Sequence, residues 1–308
     1  MTADTPTSPI SRPRRSRREG PAYLLVLPYA LLLLVVGVLP AVYAVMTSFF
    51  DLEQAGAPFR GLDHYRTAFT DFRFVSSLGN VAAFLGLWLP AMLIGVPGIA
   101  LLLHVKPSRF TETMRLLFYL PSAVTGSASV LVWLFMFTPQ LSPFGPLLRL
   151  LGFTSVSSVL AGPNLPIAFS IMAFVAYSGY WVVVVYGSLQ SISPEILEAA
   201  TMDGCTAWQL ALRIKLPLVT RYLILMLILS FAGGFQLFVE PQVIYSASLY
   251  SLSSPTWSPN QLAYNFAFQM ANFSASAALS VGLLLISLSV ALFIIYRTDF
   301  YRTDGGGA

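Results

Sequence analysis

Long apolar runs, broken by short polar stretches, set the pattern of this chain from about residue 21 onward. The runs cover about Tyr23 to Phe50, Leu78 to His104, Leu116 to Phe137, Leu165 to Leu189, Val219 to Tyr245 and Ala275 to Tyr296. About 20 apolar residues suffice to cross a bilayer as a helix, and lipid offers no water to satisfy backbone groups. The pattern therefore predicts an all-α membrane bundle of six transmembrane helices spanning 21–300, with a polar island at 193–216 between the fourth and fifth runs. Pro40, Pro90, Pro97, Pro121 and Pro166 lie in or beside the runs, which a bundle tolerates where neighbours re-satisfy the freed carbonyls.

Composition agrees with the pattern. Charged residues make up 10% of the chain against 56% hydrophobic, and mean hydropathy is +0.73. The basic residues orient the bundle. With both termini on the cytoplasmic side, that side holds Arg12, Arg14, Arg15, Arg17, Arg18, Lys106, Arg109, Arg115, Arg213, Lys215, Arg221, Arg297 and Arg302. Arg60, Arg66, Arg73 and Arg149 fall outside, so 13 of 17 basic residues face in. Residues 1–20, rich in Ser, Pro and Arg, read as a disordered cytoplasmic head and 301–308 as a cytoplasmic tail. The net charge of +4 reflects topology and the anionic inner leaflet, not nucleic-acid binding. Cys205 is the single cysteine and forms no internal disulfide.

Several chemistries are missing. There is no Gly-x-x-x-x-Gly-Lys-[Ser/Thr] loop, so the chain alone does not hydrolyse ATP. His64 and His104 stand far apart without a cysteine partner, which gives a metal site no support, and no catalytic constellation is legible. Glu240 is the one carboxylate within the runs, and an intramembrane acid is a functional candidate. Its place beside Pro241 near the outer end of the fifth run equally suits a water-facing residue.

The polar island has a legible local structure. Ser193-Pro194-Glu195 reads as a helix start, with Ser193 as N-cap and Pro194 at the first position. Ile196, Leu197 and Ala200 share one helical face, and Asp203-Gly204 supplies a stop because glycine accepts the left-handed conformation. Thr206 can cap a second helix, from Ala207 to about Lys215, with Trp208, Leu212 and Lys215 along one side. Pro217 then opens the fifth run. Helix, turn, helix along the inner surface suits a docking element or an ordinary amphipathic connector.

In the fifth run, Phe231, Phe235 and Phe238 stand at i, i+4 and i+7 beside the pair Gln236 and Glu240. Aromatic faces with a few hydrogen-bonding groups suit a sugar ring, while phenylalanines at that spacing also pack against neighbouring helices or lipid. Asn80, Trp133, Tyr180 and Trp181 are further aromatic or polar candidates. The connections near 51–76, 138–164 and 246–260 are long enough to carry a binding surface, the first with a short surface helix and the second with one turn at Leu147–Leu151.

Glu198-Ala199-Ala200-x-x-Asp203-Gly204, continuing to Ile214-x-Leu216-Pro217, resembles the EAA signature of permease subunits of binding-protein-dependent ABC importers, in its carbohydrate-uptake form. Phe59-Arg60-Gly61-Leu62-Asp63-His64-Tyr65, Tyr119-Leu120-Pro121 and Trp133-x-Phe135-Met136-Phe137 resemble other motifs of that class. Cys205 stands where alanine is usual and Ala211 where the carbohydrate form has phenylalanine; a Gly-Gly-Pro after the fifth run is absent. The resemblance implies a type I importer permease fold with 193–216 as the coupling loop. It implies contacts to an ATPase through Glu198, Ala199, Ala200, Asp203, Gly204, Trp208, Leu212 and Pro217. It further implies a plasma-membrane heterodimer with a second permease, two ATPase subunits that hold ATP and magnesium, and an extracytoplasmic solute-binding protein. The cargo implied is a sugar or oligosaccharide; a glycerol phosphate or peptide, or a self-contained secondary carrier, are the alternatives.

Overall fold

The computed structural model describes residues 20–51, 54, 56–105, 108–124, 126–248 and 252–298, with side chains from Leu25 onward. Residues 1–19 of the head, Lys106, the 301–308 tail and part of the last long connection lie outside the described residues. The described residues up to Met46 and those from Thr47 onward form two compact units.

The first unit holds α1 (Gly20–Leu32), a π-helical stretch (Leu33–Val38) and the beginning of α2 (Leu39–Phe49). The second continues with α3 (Asp63–Thr70), α4 (Phe72–Val105), α5 (Arg109–Tyr119) and, after a 3-10 turn at Leu120–Ala123, α6 (Gly126–Met136). Short helices α7 (Gly145–Leu150) and α8 (Val156–Val159) precede the long α9 (Leu165–Gln190). The polar island forms α10 (Pro194–Met202), α11 (Ala207–Gln209), a π stretch (Leu210–Lys215) and α12 (Leu216–Leu218). The chain closes with α13 (Thr220–Phe235), α14 (Val239–Ala247), α15 (Pro259–Phe268) and α16 (Phe273–Arg297). No strand occurs among the described residues; Phe50 and Phe59 make one isolated bridge.

Among the described residues, five segments are long and apolar enough to cross a membrane: Leu25–Phe49, Phe72–Val105, Gly162–Gln190, Thr220–Ala247 and Phe273–Arg297. The expected third span is instead a bent pair, Arg109–Ala123 and Gly126–Met136, turning through 107°. Two residues account for the bend. Pro121 has no N–H to continue the ladder, and Gly126 takes φ +66°, a conformation that costs side-chain-bearing residues about 1 kcal/mol or more. The fifth span is also broken, between Phe235 and Val239, where a continuous helix was expected.

The middle of the second unit is the pair α4 and α9, lying side by side, with α13 against α4 and α16, α5 against α9, and α14 against α6. Lipid tails are as apolar as leucine, so van der Waals fit and buried hydrogen bonds hold such a bundle together. Phe84, Met92, Phe169, Leu189, Met226 and Leu279 are fully buried where these helices meet. Ser170 Oγ donates to the Phe84 carbonyl at 3.3 Å, crossing from α9 to α4.

One charged residue ties α4 to α15. Arg73 donates to both carboxylate oxygens of Asp71, at 2.9 and 2.7 Å, and to Asn265 Oδ1 at 3.3 Å. Its guanidinium also lies 5.4 Å from the Phe266 ring centroid. The paired hydrogen bonds from Arg73 hold the Asp71 carboxyl below its ordinary pKa of 3.8.

Candidate functional site

Two neighbouring cavities form around the break in the fifth span. One, of about 300 Å³, is bounded by Phe84 and Trp88 of α4, Tyr177 and Trp181 of α9, Ser230 of α13, and Gln236 to Glu240 at the break. The other, of about 240 Å³, lies between Tyr119, Ser122, Ser129, Tyr177, Tyr180 and Glu240. Gly126, Tyr177 and Glu240 border both.

The cavity exists because the helix stops. Gly234 is buried, and a Cβ there would meet the Trp88 ring, so α13 approaches α4 with only glycine at the contact. Pro241 cannot donate within the first turn of α14. The carbonyl of Gln236, freed at the break, accepts Asn260 Nδ2 at 2.8 Å. Non-helical backbone at membrane depth persists where it is buried in protein or lines a cavity, and both conditions hold here. Glu240 falls in the first turn of α14, where the helix dipole favours a carboxylate.

The walls are aromatic. Phe84 and Trp88 stack with centroids 5.2 Å apart, and Trp88 lies 5.9 Å from Tyr177. Two buried polar atoms of this cavity, Trp88 Nε1 and Ser230 Oγ, have no hydrogen-bond partner. Buried polar groups are almost always paired, so these two are unmet groups in the cavity wall, shielded from the open space in this conformation. Among the described residues Glu240 is the single charged group lining either cavity.

Of the pathway residues expected from sequence, Gln236, Phe238 and Glu240 line the larger cavity. Phe231 and Phe235 do not; they stack on each other at 5.7 Å, and Phe235 is buried in the core. The i, i+4, i+7 stripe fails because the helix ends at Phe235, so Phe238 is no longer in register with the other two. For the same reason Gln236 and Glu240 are not an i, i+4 pair on one helix. Trp181 and Tyr180 line the cavities, while Asn80 donates to the Trp257 carbonyl at 3.1 Å and Trp133 packs on Phe137. Phe84, Trp88 and Tyr177 were not singled out. Their signal was two aromatic i, i+4 pairs, Phe84/Trp88 and Tyr177/Trp181, on spans that lie side by side.

At the other end of α13, the polar island is built as two capped helices. α10 ends in a Schellman motif: Cys205 N–H reaches the Ala200 carbonyl and Gly204 N–H the Thr201 carbonyl, both at 3.1 Å, with Gly204 at φ +83°. Thr206 and Gln209 form a reciprocal capping box that starts α11. Ser193 stands at the N-cap of α10, but its side chain makes no capping bond. Leu210–Lys215 is wound as a π-helix, a difference from the regular second helix expected.

Ala200 is buried, whereas Glu198, Ala199, Asp203, Gly204 and Pro217 are exposed. Several large apolar side chains stand out from the same segment: Met202 is 88% exposed, Trp208 72%, Ile196 47% and Leu212 39%. The segment is tied to the bundle where it leaves the loop. Lys215 Nζ lies 3.0 Å from His104 Nδ1 at the end of α4, His104 packs edge-on against Tyr186, and the Arg115 guanidinium sits 4.5 Å above the Tyr186 ring. Burial pushes the Lys215 ammonium below its ordinary pKa.

A helical membrane bundle with a broken span lining a polar-aromatic cavity, and an exposed capped loop at one end, is the architecture of a transport subunit. The chain belongs to the binding-protein-dependent transport system inner membrane component family, whose model matches residues 68–298. It is 28% identical over 243 residues to a probable ABC transporter permease of Pyrococcus horikoshii, covering 77% of this chain and 81% of that one. It is 25% identical over 296 residues to the arabinooligosaccharides transport system permease AraP of Bacillus subtilis, covering 94% and 92%. A probable starch degradation products transport permease of Thermoanaerobacterium thermosulfurigenes is 24% identical over 281 residues, covering 90% and 93%. Among solved structures, a chain of a bacterial ABC transporter involved in import of the acidic polysaccharide alginate superposes with a TM-score of 0.76 at 19% identity, over 93% of this chain and 98% of that one. The fold is that of a type I ABC importer permease, and the chain is a multi-pass membrane protein.

Proposed function

We propose that this chain is one permease of a heterodimeric, ATP-driven importer of a neutral sugar or oligosaccharide. Its loop 193–216 receives the ATPase stroke, and its broken fifth span lines the solute path. The reading is carried by the cavity at the break: flat aromatic faces of Trp88, Tyr177 and Trp181 beside unpartnered Trp88 Nε1 and Ser230 Oγ. Sugar rings need both features, an apolar C–H face to stack and hydroxyls to pair. Among the described residues neither cavity is lined by a basic side chain, so an acidic solute would find no counter-charge there, and the single acid, Glu240, offers hydrogen-bond acceptors to hydroxyl groups. The names of relatives that transport arabinooligosaccharides or starch products support the same class.

The exposed Met202, Trp208, Ile196 and Leu212 support docking of a partner on the loop. Ala199 and Gly204 let that partner's surface approach closely, Glu198 and Asp203 offer it charge, and Pro217 fixes the entry to the fifth span. The partner is an ATPase pair, which binds the ATP and magnesium. Closure of that pair moves the loop, and the ties of Lys215 to His104 and of Arg115 to Tyr186 pass the motion to α4, α5 and α9 in alternating access. Both termini and the loop lie on the cytoplasmic side of the bacterial inner membrane, and an extracytoplasmic binding protein delivers solute to the opposite face.

Uptake by the tagged complex in vesicles tests the reading. Neutral saccharide should accumulate with ATP and its binding protein, and should cease when the ATPase subunits are removed. Accumulation that continues without them, driven by a proton or sodium gradient, would establish a secondary carrier instead.

A further inference from the structure

A third cavity, of about 250 Å³, lies at the end of the bundle away from loop 193–216, between Gln242, Tyr245, Pro255, Tyr264, Asn265 and Gln269. We propose that it is a second saccharide site, an outer subsite that takes one uncharged sugar unit before it reaches the inner cavity. The proposal rests on the carbohydrate reading above and goes beyond it by assigning a separate place and separate residues.

The lining is three carboxamides, two tyrosines and a proline, with no charged side chain. That set matches a neutral sugar: carboxamides pair with hydroxyl groups, and tyrosine rings cover C–H faces. Two of the amides are already oriented. Gln261, fully buried and capped to Ser258, donates its Nε2 to Gln242 Oε1 at 3.0 Å. Arg73 donates to Asn265 Oδ1 at 3.3 Å. With each amide oxygen engaged from behind, the Gln242 and Asn265 amino groups are the ends left for a ligand oxygen. Arg73 is itself locked by Asp71, so Asn265 is held by a rigid support.

The volume falls just under the range of about 300–1,000 Å³ usual for small-molecule pockets, which fits one ring of a saccharide. The site also leads onward. Tyr264 lies 5.5 Å from Phe238, which lines the inner cavity. Gln242 and Glu240 belong to the same short helix, α14, so this helix carries the outer subsite on one part of its surface and the inner cavity on another. A sugar chain can thus be handed from one set of aromatic faces to the next.

The test is photolabelling of the tagged, membrane-reconstituted complex with diazirine-bearing xylotriose, arabinotriose and maltotriose, followed by peptide mapping of this chain. At least one probe should label peptides containing Tyr264 or Gln269 as well as those containing Trp88 or Tyr177. Tyr264→Ala combined with Gln269→Ala should lower the outer labelling about tenfold, equal to about 1.4 kcal/mol, and raise the KM for uptake with kcat little changed. Tyr264→Phe should keep both near wild type, which separates loss of the stacking face from misfolding. Labelling confined to the inner cavity would overturn the outer subsite and leave the carbohydrate reading standing. Absence of specific labelling at both places with all three probes would overturn both.

Discussion

The helices α10 and α14 are both nine residues long, and both interrupt the apolar pattern, yet they solve opposite problems. α10 has one buried position, Ala200, and turns Met202 and Ile196 to the outside. α14 packs against α6 and brings a carboxylate, Glu240, to the edge of two cavities inside the bundle. The first carries apolar groups outward although it lies in the polar island beyond the spans, and the second carries an acid inward. Exposed apolar surface is stable at low cost only if something covers it, and an inward acid only if something solvates it. The first therefore reads as a protein contact and the second as a solute contact.

The largest expected effect comes from closing the gap that makes α14 possible. Gly234→Val drives a branched side chain into the Trp88 ring and Leu85, and should destabilise the chain by about 1–3 kcal/mol. Thermal unfolding of the purified protein should fall and solute binding disappear, while ATPase co-purification is far less affected. If the variant instead binds solute normally, the close approach of α13 and α4 does not shape the cavity.

A smaller effect follows from removing a single donor. Trp88→Phe keeps the stacked face and deletes the unpartnered Nε1–H. It should weaken saccharide binding by up to about tenfold, the worth of one hydrogen bond of about 0.5–1.5 kcal/mol, and should lower thermal stability by about 1–2 kcal/mol because the smaller ring leaves a gap against Gly234. Unchanged affinity, measured by titration, would mean that this donor never meets the solute.

The smallest effect concerns the support of the outer face. Arg73 holds the folded pKa of Asp71 below its unfolded value, so the pair stabilises fully above about pH 4, near the ordinary 3.8. That stabilisation is lost as pH falls through the depressed folded value. Acid should therefore lower the melting temperature of wild type more than that of Asp71→Asn, by the equivalent of about 1 kcal/mol. Equal acid sensitivity would show that the staple contributes nothing to folding.

Much of this was legible in the sequence, and the reason differs by region. The runs were readable because span length is fixed by bilayer thickness, which is why Leu165–Gln190 and Phe273–Arg297 fall close to expectation. The stop at Asp203-Gly204 and the cap at Thr206 were readable because they are made by neighbours in sequence. The break at Gln236–Phe238 was only hinted at by Gly233-Gly234, which allow close packing or a local break, since the phenylalanine spacing runs on unbroken through it. Only Gly234 meeting Trp88 and Asn260 reaching the Gln236 carbonyl, both long-range events, fix it. The cavity walls on α4 and α9 were hidden for the same reason: aromatic pairs are visible in sequence, but the face they share is a tertiary fact.

The central claim is that α10 with its loop meets the ATPase while the broken fifth span meets the solute. One parallel measurement on the tagged complex tests it: ATPase co-purification and saccharide affinity by titration calorimetry, for Glu198→Arg/Gly204→Trp and for Trp88→Phe/Ser230→Ala. The first variant should lose the ATPase more than tenfold and keep its saccharide affinity; the second should keep the ATPase and lose affinity for the saccharide. If the loop variant retains its ATPase, or if both variants lose both signals together while remaining folded, the division of labour is contradicted.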